Sequence, residues 1–218
     1  QGLISVGECA FSSTQLSDFN APQLERLEDY AFLNCSGLKN ITLPESLKVI
    51  SRGAFSGCQN LENAEFEGEE NLEYIGDYAF AYCENLKQAH IPDCVDFIGF
   101  QTFVSCTNME ILTVPYIGQD SAHGDNLNYL FGSEINLRSV TVTNAQSLAR
   151  QAFYGCATIK EINLNEGLEE IGDYAFSGCT GVKSIVIPAS VTIAGYGIFD
   201  GCFRLYEVYN LSRTEIHC

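Results

Sequence analysis

Cysteine, histidine and carboxylate side chains are where chemistry would start in this chain of 218 residues, which holds ten cysteines, three histidines and 28 acids. A cysteine thiolate is a nucleophile and a metal ligand. A zinc site would place cysteines in close pairs such as Cys-x-x-Cys, and no such pair occurs. His90, His123 and His217 are scattered, and no histidine recurs beside the cysteines, so a nucleophile with its base and orienting acid is not assembled. The stretch "DSAHGDN" at 120–126 offers oxygen ligands without the register of a calcium loop. Glu62, Glu65, Glu67, Glu69, Glu70 and Glu73 form a dense acidic run. Paired carboxylates can cleave glycosidic bonds, but nothing nearby would hold one of them protonated. That run reads as a solvated face, or as one that meets a basic partner. "GDYAF" has one glycine and no lysine, so it does not cradle phosphate. The expectation is a protein that is not an enzyme and needs no metal or cofactor.

The elements that carry these residues repeat. Phenylalanine stands at 11, 32, 55, 80, 103, 131, 153, 176 and 199, which marks nine units with a natural period of 23 residues. Three residues after most of these lies a cysteine: Cys35, Cys58, Cys83, Cys106, Cys156, Cys179 and Cys202. Three residues later comes Leu or an equivalent, opening segments such as "LKNITLP", "LKQAHIP" and "VKSIVIP". Their inward and outward residues alternate as a short strand does. Several end in proline, which cannot donate to a continuing ladder. A second apolar run, "LKVI", "LEYI" or "LEEI", precedes each phenylalanine and reads as another short extended piece. "SGC" and "YGC" read as tight helical or 3₁₀ turns. The hexapeptide "IGDYAF" occurs at 75–80 and at 171–176, with Gly76 and Gly172 serving a turn.

A unit of this size cannot bury its own apolar face, whereas stacked units bury it as ladders of like side chains. Phe32, Phe55, Phe80, Phe103, Phe153, Phe176 and Phe199 form one expected ladder and the seven cysteines another. A cysteine in that phase acts as a small buried hydrophobe. Neighbouring rungs are close enough for a disulfide, but an odd, evenly spaced ladder offers no natural pairing. The expectation is seven reduced, buried thiols, with Cys9, Cys94 and Cys218 isolated.

The pattern "L..I...AF..C..L..I..P", matched by "LKVISRGAFSGCQNLENAEF" and "LEEIGDYAFSGCTGVKSIVIP", resembles a leucine-rich repeat of the Treponema pallidum type, as in BspA-like proteins. The resemblance runs the length of the chain. It implies an α/β repeat solenoid, a right-handed leucine-rich repeat with one parallel β-sheet and about nine units of roughly 23 residues. It also implies a bacterial or parasite protein that is secreted or at the cell surface, some relatives being linked to adhesion. The domain expected is a single one over 1–218, with an irregular first unit at 1–23 and an insertion at 115–136.

Net charge is −17. Such a surface repels phosphate backbones and anionic lipid, so nucleic acid is set aside as a partner. No apolar run reaches the ~18 residues of a membrane helix. What remains is a non-enzymatic module that binds an unknown protein or glycan, the alternative being a structural spacer that presents another domain. The monotony of the rungs directs attention to the segment that breaks it. Tyr116, Asp120, His123, Asp125 and Tyr129 lie in the insertion, and Thr113 and Thr141 stand at outward strand positions beside it. Tyrosine gives large contact area at modest entropic cost. His90 and Glu65 are outward strand residues elsewhere on the sheet face.

Overall fold

The structure, a computed structural model, describes residues 2–117 and 126–216. It comprises two compact units: Gln1–Met109 with Leu130–Glu134, and Glu110–Tyr129 with Ile135–Cys218. Unit 1 contains β1 (Ser5–Val6), β2 (Arg26–Leu27), β3 (Asn40–Leu43), β4 (Val49–Ile50), β5 (Asn63–Phe66), β6 (Tyr74–Ile75), β7 (Gln88–His90) and β8 (Phe97–Ile98). Unit 2 contains β9 (Ile111–Val114), β10 (Ser139–Val142), β11 (Ser147–Leu148), β12 (Glu161–Asn163), β13 (Glu170–Ile171), β14 (Ser184–Ile187), β15 (Ile193–Ala194) and β16 (Glu207–Asn210). A five-residue helix, α1 (Leu127–Phe131), gives its last two residues to unit 1.

The fold is a parallel-strand solenoid, and nine phenylalanine positions mark its turns. The longer strands pair in parallel one period apart, Asn40 with Asn63 and Leu43 with Phe66 in unit 1, Ser184 with Glu207 in unit 2. Ser139 pairs with Ile111 across the longer turn without loss of phase, so the insertion is absorbed outside the ladder. The two-residue strands make a second row, β1-β2-β4-β6-β8 in unit 1 and β11-β13-β15 in unit 2. That row is the second extended piece read from "LKVI" and "LEYI". Alternation follows the pleat: Ile41, Leu43, Ile185 and Ile187 are buried while Asn40, Thr42, Ser184 and Val186 face out.

Apart from Phe131, which ends α1, the arch around each phenylalanine of the phase is not helical. Residues two before and two after it hold positive φ, as in Tyr30 (58°) and Asn34 (54°), or Tyr78 (58°) and Tyr82 (59°). Alternating left- and right-handed residues turn every second peptide along the stack. The N–H groups of Tyr30, Phe32 and Asn34 therefore donate to the carbonyls of Arg52, Ala54 and Ser56 in the next turn, at 2.9, 2.7 and 2.8 Å. The intervening Ala31, Leu33 and Cys35 N–H groups bond back within their own turn, to Glu28, Tyr30 and Phe32. Between the two sets the buried backbone polar groups of the arch are satisfied. The rings stack in step: Phe32–Phe55 at 5.3 Å, Phe55–Phe80 at 5.2 Å and Phe103–Phe131 at 5.6 Å in unit 1, Phe153–Phe176 at 5.4 Å and Phe176–Phe199 at 5.5 Å in unit 2.

This arch explains the echo of "IGDYAF". Ile75 and Ile171 are core residues. A Cβ at Gly76 would lie 2.7 Å from the backbone nitrogen of Arg52, and one at Gly172 would lie 2.6 Å from that of Arg150. These glycines permit close approach of the preceding turn, and neither needs a positive φ to do so. The Asp77 carboxylate accepts the Phe100 N–H at 2.8 Å, and that of Asp173 accepts the Tyr196 N–H at 2.7 Å. Tyr78 and Tyr174 take positive φ, Ala79 and Ala175 are fully buried, and Phe80 and Phe176 join the ladder.

Candidate functional site

The cysteine ladder is the first candidate to resolve, because its phase repeats along the chain. Cys35, Cys58, Cys83, Cys106, Cys156, Cys179 and Cys202 are all buried, and all are free thiols. Five of them share one kind of partner that the sequence pattern did not reveal, the phenylalanine carbonyl of the preceding turn. Cys58 Sγ donates to the Phe32 carbonyl at 3.1 Å, Cys83 to Phe55 at 3.2 Å, Cys106 to Phe80 at 3.1 Å, Cys179 to Phe153 at 3.1 Å and Cys202 to Phe176 at 3.0 Å. Each of those carbonyls also accepts the N–H of the cysteine in its own turn. The thiol thus fills the second lone pair of a buried carbonyl. Burial pushes the thiols of Cys58, Cys106 and Cys156 up to about 12 and raises that of Cys83 well above its ordinary value. Thiols held neutral in this way are neither nucleophiles nor metal ligands. Among the described residues no group of three or more His, Cys, Asp or Glu side chains is placed to hold a metal ion. Among them, too, no helix is long and apolar enough to cross a membrane.

The sheet face of unit 1 is different in character. Asn40, Thr42, Glu65, Gln88 and His90 are exposed on β3, β5 and β7, with Asn63 half-buried between them. Asn63 Nδ2 donates to Asn40 Oδ1 at 2.7 Å, an amide rung that fixes both side chains. His90 Nε2 lies 3.1 Å from Glu69 Oε1, with both side chains largely in solvent. Glu62 pairs with Lys87 at 3.3 Å along the edge of this face. The result is a row of amides, hydroxyls and carboxylates without an aromatic anchor.

A cleft of about 460 Å³ opens at the start of this row, lined by Asp18, Phe19, Asn20, Asn40, Thr42 and Glu67 among others. Its cause is local. Among the described residues the first turn has no strand opposite β3, which pairs there with β5 alone. Phe19 stands at the phase of the first outward strand residue, yet its ring turns inward, edge-on to Phe11 at 5.6 Å and to Phe32 at 5.0 Å. The apolar residue in a polar phase was the signal for this inward turn, and the strand pattern alone did not carry it.

The insertion residues are not brought together as one exposed patch. Tyr129 lies on α1 and is buried, and Tyr116 is half-buried. Thr113 and Thr141 are half-buried and face each other across the β9–β10 pair. Asp120, His123 and Asp125 lie outside the described residues, as do His217 and Cys218.

The family described as BspA type leucine-rich repeat region matches residues 2–121 and 127–216, in six copies. A leucine-rich repeat protein from Bacteroides ovatus ATCC 8483 is similar in structure, with a TM-score of 0.59 and 26% identity over 94% of this chain and 58% of that one. A leucine-rich cell surface protein from Faecalibacterium prausnitzii A2-165 shares the fold, with a TM-score of 0.51 and 22% identity over 95% of this chain and 69% of that one. The chain thus spans 58% of the length of the Bacteroides protein. No curated protein matches the sequence.

Proposed function

We propose, from the premise that the chain belongs to the BspA type leucine-rich repeat family, that it is a non-enzymatic recognition module of a secreted or cell-surface bacterial protein. Its partner is a protein, bound across the exposed row of β3, β5 and β7. The observation that carries this reading is the side-chain row itself: Asn40, Thr42 and Glu65 point to solvent from the paired strands β3 and β5, and Gln88 and His90 from β7 beside them. Rigid presentation lowers the ordering cost of binding. Carboxylates along the row favour a partner with basic side chains and give a fast, salt-sensitive encounter. The cleft beside Asp18 and Glu67 extends the contact at one end. Surface location is supported by the cell-surface relative, and adhesion is the use that such a location suggests. The insertion at 115–136 is a second, separate candidate contact through Tyr116, Thr113 and Thr141.

The test is capture of host matrix proteins and other surface proteins by the immobilised chain, followed by affinity measurement with Glu65→Lys and His90→Glu. At least a tenfold loss with Glu65→Lys, growing at low salt, is expected. Unchanged affinity in both variants removes this face. Replacing 119–126 by a short Gly-Ser link then asks whether the insertion carries the contact. Absence of any partner leaves the spacer reading.

A further inference from the structure

The two copies of "IGDYAF" sit in matching corners, one in each unit, and the corners differ in what lies over them. Three consecutive turns build each corner, at the ends of the short strands. Its floor is Ser51, Gly76 and Gly99 in unit 1, and Ala149, Gly172 and Gly195 in unit 2. One wall begins with an arginine and an aspartate in both units, Arg52 and Asp77 or Arg150 and Asp173. The backbone is held alike, since Asp77 and Asp173 each accept the N–H of the same position in the following turn.

The other wall carries the outward residues of the short strands. In unit 1 these are Val49, Tyr74 and Phe97, in register. The rings of Tyr74 and Phe97 stack at 4.9 Å with 7° between their planes. Burial, then the carboxylates of Asp77 and Asp29, raise the pKa of the Tyr74 phenol, which places its hydroxyl over the corner. The Tyr30 hydroxyl, with Asp29 and Asp77, holds the Arg52 guanidinium there. Beneath this cover Ser51, Gly76 and Gly99 are buried.

In unit 2 the same three positions are Ser147, Glu170 and Ile193, so that wall carries no ring. Ala149, Gly172 and Gly195 are only half-buried, and a groove of about 360 Å³ opens along them. Arg150, in its wall, is exposed and makes no side-chain hydrogen bond or ion pair among the described residues. The groove crosses the turns on the outward side of the short strands, so turns added before or after it would lengthen it without covering it. One corner is thus filled by rings of its own chain, and its counterpart stands open with an unanswered cation.

We propose that the groove of unit 2 receives a tyrosine side chain of a partner protein. The ring lies on Gly172 and Gly195 against Ile193, in the place that Tyr74 takes in unit 1. Its hydroxyl accepts from Arg150 and donates to the Asp173 carboxylate. A phenylalanine would leave Arg150 unanswered, and a small anion would leave the floor bare. Tyrosine also brings large contact area at modest entropic cost. The site uses none of the residues of the row on β3, β5 and β7, so either contact can fail without the other.

Nuclear magnetic resonance titration of the full chain with N-acetyltyrosinamide tests the proposal. Saturable shifts of the Arg150, Gly172 and Gly195 amides are expected. N-acetylphenylalaninamide should bind about fivefold more weakly, for want of one hydrogen bond, and N-acetylalaninamide should shift none of the three. Arg150→Met is expected to erase the preference for tyrosine while still binding the ring. Glu170→Tyr copies the wall of unit 1 and is expected to abolish the shifts and raise the melting temperature, with circular dichroism confirming the fold of both variants. Absence of saturable shifts at these amides overturns the proposal, as do equal shifts with the alanine derivative. So does a tyrosine preference that survives Arg150→Met, or a titration that Glu170→Tyr leaves unchanged.

Discussion

Phe80 lies between Phe55 and Phe103, with ring centroids 5.2 and 5.8 Å away, and its N–H is bonded to Thr102. Phe199 stacks on Phe176 at 5.5 Å and, among the described residues, has nothing stacked on its other face and no acceptor for its N–H. The two residues occupy the same phase of the same motif. Their surroundings differ because stability in a repeat is shared between neighbours, and among the described residues the turn of Phe199 has one neighbour where that of Phe80 has two. The first turn shows a partial remedy, since Phe19 turns its ring against Phe11 and Phe32.

The sharpest way to break this comparison is to remove the rings. Phe80→Ala is expected to cost about 3–5 kcal/mol in urea denaturation, the range for a buried aromatic. Phe199→Ala is expected to cost less than half as much. Equal losses would mean that the last turn is packed like the middle.

Alkali probes the thiols. An unfolded cysteine loses its proton near 9, while Cys58 in the fold keeps its own to about 12, because burial penalises the thiolate. Between those values the unfolded chain binds fewer protons than the folded one, so stability falls as pH rises. The slope is about 1.4 kcal/mol per pH unit for each such thiol, and the stabilisation is fully present below pH 9. Denaturation at pH 8, 9, 10 and 11 should show a slope that Cys58→Ser flattens by that amount. Cys202→Ser, at the less enclosed end, should flatten it less. A slope unchanged by Cys58→Ser would show that this thiol is not protected.

Smaller effects sharpen the picture. Asp77→Ala removes one acceptor from the Phe100 N–H and is expected to cost about 1 kcal/mol. Asp77→Asn, which keeps an acceptor, should recover most of it. Breaking the exposed Lys87–Glu62 pair with Lys87→Met should change stability by a few tenths of a kcal/mol. A loss above 1 kcal/mol there would mark the pair as part of the ladder rather than its edge.

Much of this was legible in the sequence because a repeat states each position several times. The phase of Phe32 to Phe199, the burial of the cysteines and the alternation of β3 and β14 follow from period and residue type alone. The arch did not follow. Tyr78, Tyr82 and Gln101 take positive φ, which those residue types do not signal, and the hydrogen bonds between turns enforce it. The thiol-to-carbonyl bonds were equally hidden, since they join residues 26 or 28 positions apart. At the candidate site, Glu65 and His90 were found as exposed strand residues. Tyr129 was expected in a binding patch and is buried, because α1 packs it inward, and an aromatic in an irregular segment does not announce which way it faces. The cleft beside β3 was missed because it arises from a strand that the first turn lacks.

The central claim is that aligned peptides of the arch bind turn to turn. Native-state hydrogen exchange at low micromolar concentration tests it residue by residue. The amides of Phe32, Phe55, Phe80 and Phe176 are each bonded to the following turn and should exchange orders of magnitude more slowly than those of Phe199 and Gly201. Comparable protection at Phe199 and Phe80 in the monomer would contradict the account.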